Sequence, residues 1–163
     1  EGGQRGSGEG YLMGTPARKL ILDNLQTTFE GVTTGNGFKT SVDTVQALAR
    51  GYFDVKSGER PFIGYVPGVE TVQHQPGGNI YCSMAVSVIG HVSGTTLADR
   101  QTKLNNLVDD LIAALNTDTT RGSNAISTTI SQYETDEGDP DAHGDGSVLM
   151  QVQIKYLRST ASS

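Results

Sequence analysis

The stretch Asp136 to Gly146, "DEGDPDAHGDG", places five carboxylates and one imidazole in a single run with no lysine or arginine among them. Side chains of these types can ligate a hard cation, relay a proton, or present a charged tip to a partner. A calcium loop of the EF-hand kind needs oxygen ligands at its first, third and fifth positions. It also needs glycine at the sixth and a bidentate glutamate at the twelfth. A loop begun at Asp139 supplies Asp141, His143 and Gly144, but its twelfth position is Met150. Begun at Asp141, it has His143 third and Val152 twelfth, so both registers fail. Adventitious cation binding stays open, because clustered carboxylates repel one another and a counterion relieves that repulsion. His143 beside carboxylates has the composition of an acid–base pair. Yet this glycine-rich run holds nothing apolar that would shift a pKa or exclude water.

The remaining reactive side chains point away from catalysis. His74 and His91 have no second histidine at metal-ligand spacing. Cys82 alternates with Ile80 and Met84, which suits a buried structural thiol rather than a nucleophile. The turns "GNG" at Gly35 and "PGG" at Pro76 match neither a phosphate loop nor a dinucleotide fingerprint. No serine lies in a nucleophile elbow. The expectation is no enzyme, no cofactor and no metal. What is left is Asp136, Glu137, Asp139, Asp141 and Asp145 as an acidic surface.

The elements that must hold this surface are legible from periodicity. In "TPARKLILDNLQTTFEG", Thr15 suits an N-cap and Pro16 the first helical position. Leu20, Ile21, Leu25 and Phe29 recur at helical spacing up to Gly31. A strand is expected somewhere between Phe38 and Ala49. Another runs from Phe62 to Val66, is broken by Pro67-Gly68, and resumes at Glu70. After the turn Pro76 to Asn79, "IYCSMAVSVIGHV" puts Ile80, Cys82, Met84, Val86, Val88 and Val92 on one face. Tyr81, Ser83, Ala85, Ser87, Ile89 and His91 take the other. With the preceding segment this forms a long hairpin.

A second helix has Leu97, Leu104, Leu107, Val108, Leu111, Ile112 and Leu115 as its stripe. Arg100, Lys103, Asn106, Asp109 and Asp110 lie mostly off that stripe. Thr96 and Asp99 make a capping-box-like start, and the helix ends near Asn116 to Asp118. Two strands close the chain. One sets Ile126, Thr128 and Ile130 on a common face. The other alternates Val148, Met150, Val152, Ile154 and Tyr156 against Gln151, Gln153 and Lys155. The acidic stretch is then a hairpin loop, longer than the usual two to five residues.

The fold class expected is α/β (α+β): a mixed or antiparallel sheet with long hairpins on two main helices, in the order α-β-β-β-α-β-β. Residues 15–158 form one domain, between a flexible glycine-rich arm at 1–14 and a short tail at 159–163. The first ten residues carry no apolar side chain and cannot offset their own ordering entropy. The missing initiator methionine suggests processing or a numbering offset. The chain has 163 residues, enough for one well-buried core. No run approaches the ~18 to 20 apolar residues of a membrane span, and no signal-peptide pattern is visible. Net charge is −6, of which the acidic stretch accounts for −5, leaving −1 for everything else. Sequence-reading DNA binding is disfavoured, since lysine and arginine form no basic stripe. A single cysteine rules out an internal disulfide.

Taken in order, "PFIGYVPGVETV", the strand ending "VIGHVSG", the helix "LADRQTKLNNLVDDLIAAL" and the closing "VLMQVQIKYLR" resemble the tail terminator (tail completion) proteins of long-tailed bacteriophages. The likeness spans roughly Pro16 to Arg158. It rests on pattern and element order, without an invariant chemical motif. The glycine-rich arm and the size of the acidic loop depart from the family pattern. The resemblance implies a structural virion protein, made in the host cytoplasm and carried in the phage tail or neck. It implies a homo-hexameric ring that caps the tail tube and meets the head–tail connector, with DNA passing non-specifically through its lumen. There the acidic loop would face either the lumen or a ring-to-ring joint. Two other readings are another neck or tail-tube protein, and a small cation- or ligand-binding module built on the acidic loop.

Overall fold

A computed structural model describes residues 15–48, 55, 57–138 and 144–159. The expected arm at 1–14 lies outside these residues, as does all of the tail beyond residue 159. In chain order the elements are α1 (Ala17–Glu30), β1 (Thr44–Ala47), β2 (Phe62–Gln75), β3 (Asn79–Gly94), α2 (Leu97–Thr117), β4 (Ser127–Asp136) and β5 (Gly144–Ser159). This is the α+β order that the periodicity predicts. The five strands make one sheet in the order β1-β2-β3-β5-β4. β1 runs parallel to β2, and every other pair is antiparallel.

The central pair decides the architecture. β3 and β5 are matched along their whole length, from Asn79 opposite Ser159 to Gly94 opposite Gly144. Alternation then sends Cys82, Met84, Val86 and Val88 to the same face as Val148, Met150, Val152, Ile154 and Tyr156. All of these are buried. Both helices cover that face. Ile21, Leu25 and Phe29 of α1 and Leu104, Leu107, Leu111 and Leu115 of α2 join the same core. At Gly90 the helix comes so close that an added Cβ would lie 2.6 Å from Leu107 Cδ2 and 2.9 Å from Val148 Cγ1. A smaller cluster of Leu48, Val55, Phe62 and Ile89 sits on the opposite face.

The ends of α2 are held by side chains. Thr96 Oγ1 accepts from the Asp99 N–H at 3.1 Å, which satisfies one orphan donor of the first turn. Beyond the last turn, Arg121 is fully buried in a left-handed backbone conformation, φ 51°. Its guanidinium donates to the Leu115 carbonyl at 2.8 Å and to the Asp118 carbonyl, and reaches Thr28 Oγ1 of α1 at 3.3 Å. One cation thus closes α2 and joins the two helices.

Several details differ from the sequence reading. The N-cap of α1 is Pro16, in extended conformation, and Thr15 stands outside. The Pro16 carbonyl accepts from Lys19 and Leu20. Leu20 is 36% exposed, because the buried face of the helix is Ile21, Leu25 and Phe29, with Ala17 and Leu22 partly covered beside them. Pro67-Gly68 does not interrupt β2; the strand continues through a bulge between Pro67 and Glu70. The proline is tolerated because β1 pairs with β2 only as far as Tyr65, so beyond that residue β2 is an edge among the described residues. Arg100 and Asp110 lie off the leucine stripe, yet both are buried. The N–H of Lys39 donates to Asp110 Oδ1 at 3.0 Å, while Oδ2 of the same carboxylate is buried with no hydrogen-bond partner.

Replacing Leu111, wholly buried between α2 and the sheet, with alanine should cost about 2 to 5 kcal/mol in urea-unfolding measurements.

Candidate functional site

Both ends of the acidic stretch belong to strands. Asp136 is the last residue of β4, opposite Ser147, and β5 already begins at Gly144. Asp139 and Asp141, with His143, lie outside the described residues. The flanks of the turn are tied to the body. Asp136 Oδ1 accepts from the Gly138 N–H at 2.9 Å, and the Glu137 carbonyl accepts from Arg100 Nη1 at 2.7 Å. Gly138 has φ +75°, and a Cβ there would meet the Asp145 carbonyl at 2.9 Å and Arg100 Nη1 at 3.1 Å. Only glycine fits that position.

Asp145 is an ion-pair partner of Arg60 rather than a free charge. The Arg60 side chain is only 10% exposed. It also donates to Ser93 Oγ at 3.2 Å and to the Val55 carbonyl at 2.8 Å. Asp145 therefore fastens the start of β5 to the segment before β2. Of the five acids singled out in the sequence, Asp145 is bound to the body, and Asp136 and Glu137 mark where the turn begins.

Beside this turn two adjoining hollows of about 420 and 450 Å³ share Arg60, Ser93 and Lys103 in their walls. Thr40, Ser41 and Asn106 line one; Thr95, Asp99 and Asp145 line the other. The charges are balanced in place. Lys39 meets Asp109 at 2.8 Å, Lys103 meets Asp99 at 3.2 Å, and Arg60 meets Asp145. His91 packs its ring 6.0 Å from Phe62, and its Nε2 is buried with no hydrogen-bond partner. Burial, aided by the nearby Arg60 charge and opposed by Asp145, holds this imidazole below its usual range. It stays neutral where a surface histidine would gain a proton. Among the described residues no three His, Cys, Asp or Glu side chains converge on a common metal position.

A second polar cluster escaped the sequence reading. The bulge at Pro67/Glu70 turns Glu70 toward the helix face, where Tyr156 donates to its Oε2 and Arg18 Nε reaches its Oε1 at 3.2 Å. Arg158 Nη2 in turn donates to Tyr156 Oη at 2.8 Å. Burial, followed by the Glu70 hydrogen bond, pushes the Tyr156 phenol well above its usual range. Burial first, and then Glu70, likewise raises the Cys82 thiol. A thiol held protonated is a poor nucleophile. Burial works to raise the Glu70 carboxyl, but hydrogen bonds from Tyr156, Cys82 and Arg18 outweigh it and leave the group below its usual range. A one-residue bulge leaves no periodic signal, so only the Pro-Gly pair ahead of Glu70 could have hinted at the change of face.

Among the described residues no helix is long and apolar enough to cross a membrane. The chain matches no protein-family model and no curated protein sequence.

Because the folded state holds Glu70 more acidic than the unfolded chain does, its contribution is fully present above the unfolded pKa. It disappears as pH falls through the folded one. Stability from this group should therefore hold from neutral pH down to the ordinary carboxylate range, then drop through and below it. Glu70→Gln should lower stability at neutral pH and lose part of that slope. Denaturant midpoints of the two proteins, taken from pH 7 to acid, should converge at the acid end.

Proposed function

We propose that this chain is a tail terminator (tail completion) subunit of a long-tailed bacteriophage. It would act as a six-membered ring that caps the tail tube and meets the head connector, leaving a channel for DNA. The observation that carries this reading is the long β2–β3 hairpin, the outer half of which extends past the helices with apolar side chains in solvent. Val69 is 69% exposed, Val72 51% and Tyr81 38%, and Leu157 beside Tyr81 on β5 is 44% exposed. Isolated exposed apolar residues need no explanation, but several on one projecting arm suit a surface that another subunit covers. The sheet face away from the helices adds to this. Its middle carries a hydroxyl–amide ladder, Ser83 to Gln153 at 3.1 Å and Ser87 to Gln151 at 3.2 Å, in place of a core. A closed ring needs two different patches on each copy, and an arm and a sheet body supply them.

In the ring the acidic turn faces the lumen or a ring-to-ring joint. Along the lumen its carboxylates would repel phosphate at short range, since charges beyond ~8 Å are largely screened at physiological salt. Negative-stain electron microscopy of the purified protein, alone and with tail tubes, tests the assembly. Six-fold rings at tube ends are expected. Monomers or trimers at the tail's end in a virion reconstruction would refute it, and a monomer altered by EDTA would favour a cation-binding module instead.

The pairing of Asp145 with Arg60 sharpens the test of the turn. Changing Asp136, Glu137, Asp139 and Asp141 to their amides, with Asp145 kept, should leave the fold intact. Normal particles with slowed DNA release place the turn in the lumen, and headless tails place it at the joint. Wild-type infectivity would assign the acids to solubility alone.

A further inference from the structure

The two edges of the sheet are unequal. β1 is short, Thr44–Ala47, and α1 lies against it, with Gln26 Nε2 donating to the Val45 carbonyl at 3.0 Å. β4 runs from Ser127 to Asp136, pairs among the described residues on one side only, with β5, and is exposed in every residue from Ser131 onward. Open edges are normally guarded by lysine, proline or a bulge. Residues 122–133 contain no charged residue and no proline, and are rich in threonine, isoleucine and serine. The guard present is the bulge between Ile130 and Gln132, where Ser131 Oγ bonds inward to the Gln151 carbonyl. Exposed apolar side chains flank this neutral stretch, Ile126 at 49% and Tyr133 at 48%.

We infer that β4 is a pairing edge whose occupant is β4 of a second copy, antiparallel, about a two-fold axis at Thr129. The charge pattern excludes the parallel arrangement, which would set Glu134 and Asp136 beside their own copies. Antiparallel pairing sends these acids to opposite ends of the ribbon, past the uncharged half of the partner. The register follows from the faces. Counted through the bulge by its partners on β5, the strand places Thr128, Ile130 and Tyr133 on the helix side, with Thr129, Gln132 and Glu134 on the other. Ile126 falls on the helix side by the same alternation. With the axis at Thr129, Ile126 of each copy stands opposite Tyr133 of the other, and the neutral stretches coincide. With the axis at Ile130, Ile126 faces Thr135 and both apolar side chains lose their match. The contact is self-complementary, so it is distinct from the ring-closing contact proposed above. It joins two rings, or two free subunits, into a continuous ten-stranded sheet.

The native cysteine is buried, 1% exposed, so one added cysteine reports cleanly. Thr129→Cys under mild oxidation should give a covalent dimer as the main product on a non-reducing gel, whatever larger assembly forms. Thr135→Cys, on the same strand but with no counterpart opposite it, should remain monomeric on that gel. Thr129→Lys sets two ammonium groups face to face across the axis. It should weaken dimerisation about fivefold or more in sedimentation equilibrium, with the unfolding midpoint unchanged. The inference fails if the wild type stays monomeric at high micromolar concentration. It fails equally if Thr129→Cys links no better than Thr135→Cys, or if Thr129→Lys leaves the association untouched.

Discussion

The full-length pairing of β3 with β5 is the constraint on which the other elements depend. Period-two alternation on both strands puts one continuous apolar strip on a single face, and that strip is much too large to leave wet. α2, entering directly from β3, lays its leucines on the strip. The approach is tight enough that Gly90 has no room for a Cβ. α1 fills the remainder with Ile21, Leu25 and Phe29. β4 and β1 contribute far less to this core; they extend the sheet sideways, where its surface meets solvent.

Once the apolar strip is covered, arginine hydrogen bonds do the positioning. Arg60, Arg100 and Arg121 each bind a carbonyl or carboxylate at the point where an irregular segment meets a regular one. Arg60 holds the start of β5 through Asp145, Arg100 holds the turn through the Glu137 carbonyl, and Arg121 closes α2. A guanidinium suits these places, because its planar fork can serve several acceptors from a largely buried position. The acidic stretch is therefore less free than its composition suggests. Arginines from distant parts of the chain have turned two of its residues into anchors.

Strong periodicity made the central strands and α2 legible in the sequence, since thirteen alternating residues or a seven-residue leucine stripe admit one face only. The element order followed from them. What stayed hidden depends on single residues and distant partners. Arg100 and Asp110 look like solvent-facing positions on a helical wheel, and are buried because Glu137 and Lys39 arrive from elsewhere to meet them. Glu70 changes face through one bulge, and no local pattern marks it. Asp145 was legible as an acid, but its role as the partner of Arg60 was not. That pair spans 85 positions of sequence.

The same reasoning explains why the two sheet edges differ. An edge beside a helix loses its free backbone groups to that helix, as the Val45 carbonyl does to Gln26. β4 has no such neighbour among the described residues, and its middle lacks the charges that usually deter pairing. A monomer under pressure to stay soluble would place lysine there. Here the negative charge is concentrated at the far end of the strand, around Asp136 and Glu137, while the centre stays neutral. Charge at the end and none in the middle is the distribution that permits an antiparallel neighbour and opposes a parallel one. Together with the exposed hairpin arm, it supports the proposed reading of a subunit whose surfaces are completed by other copies of itself.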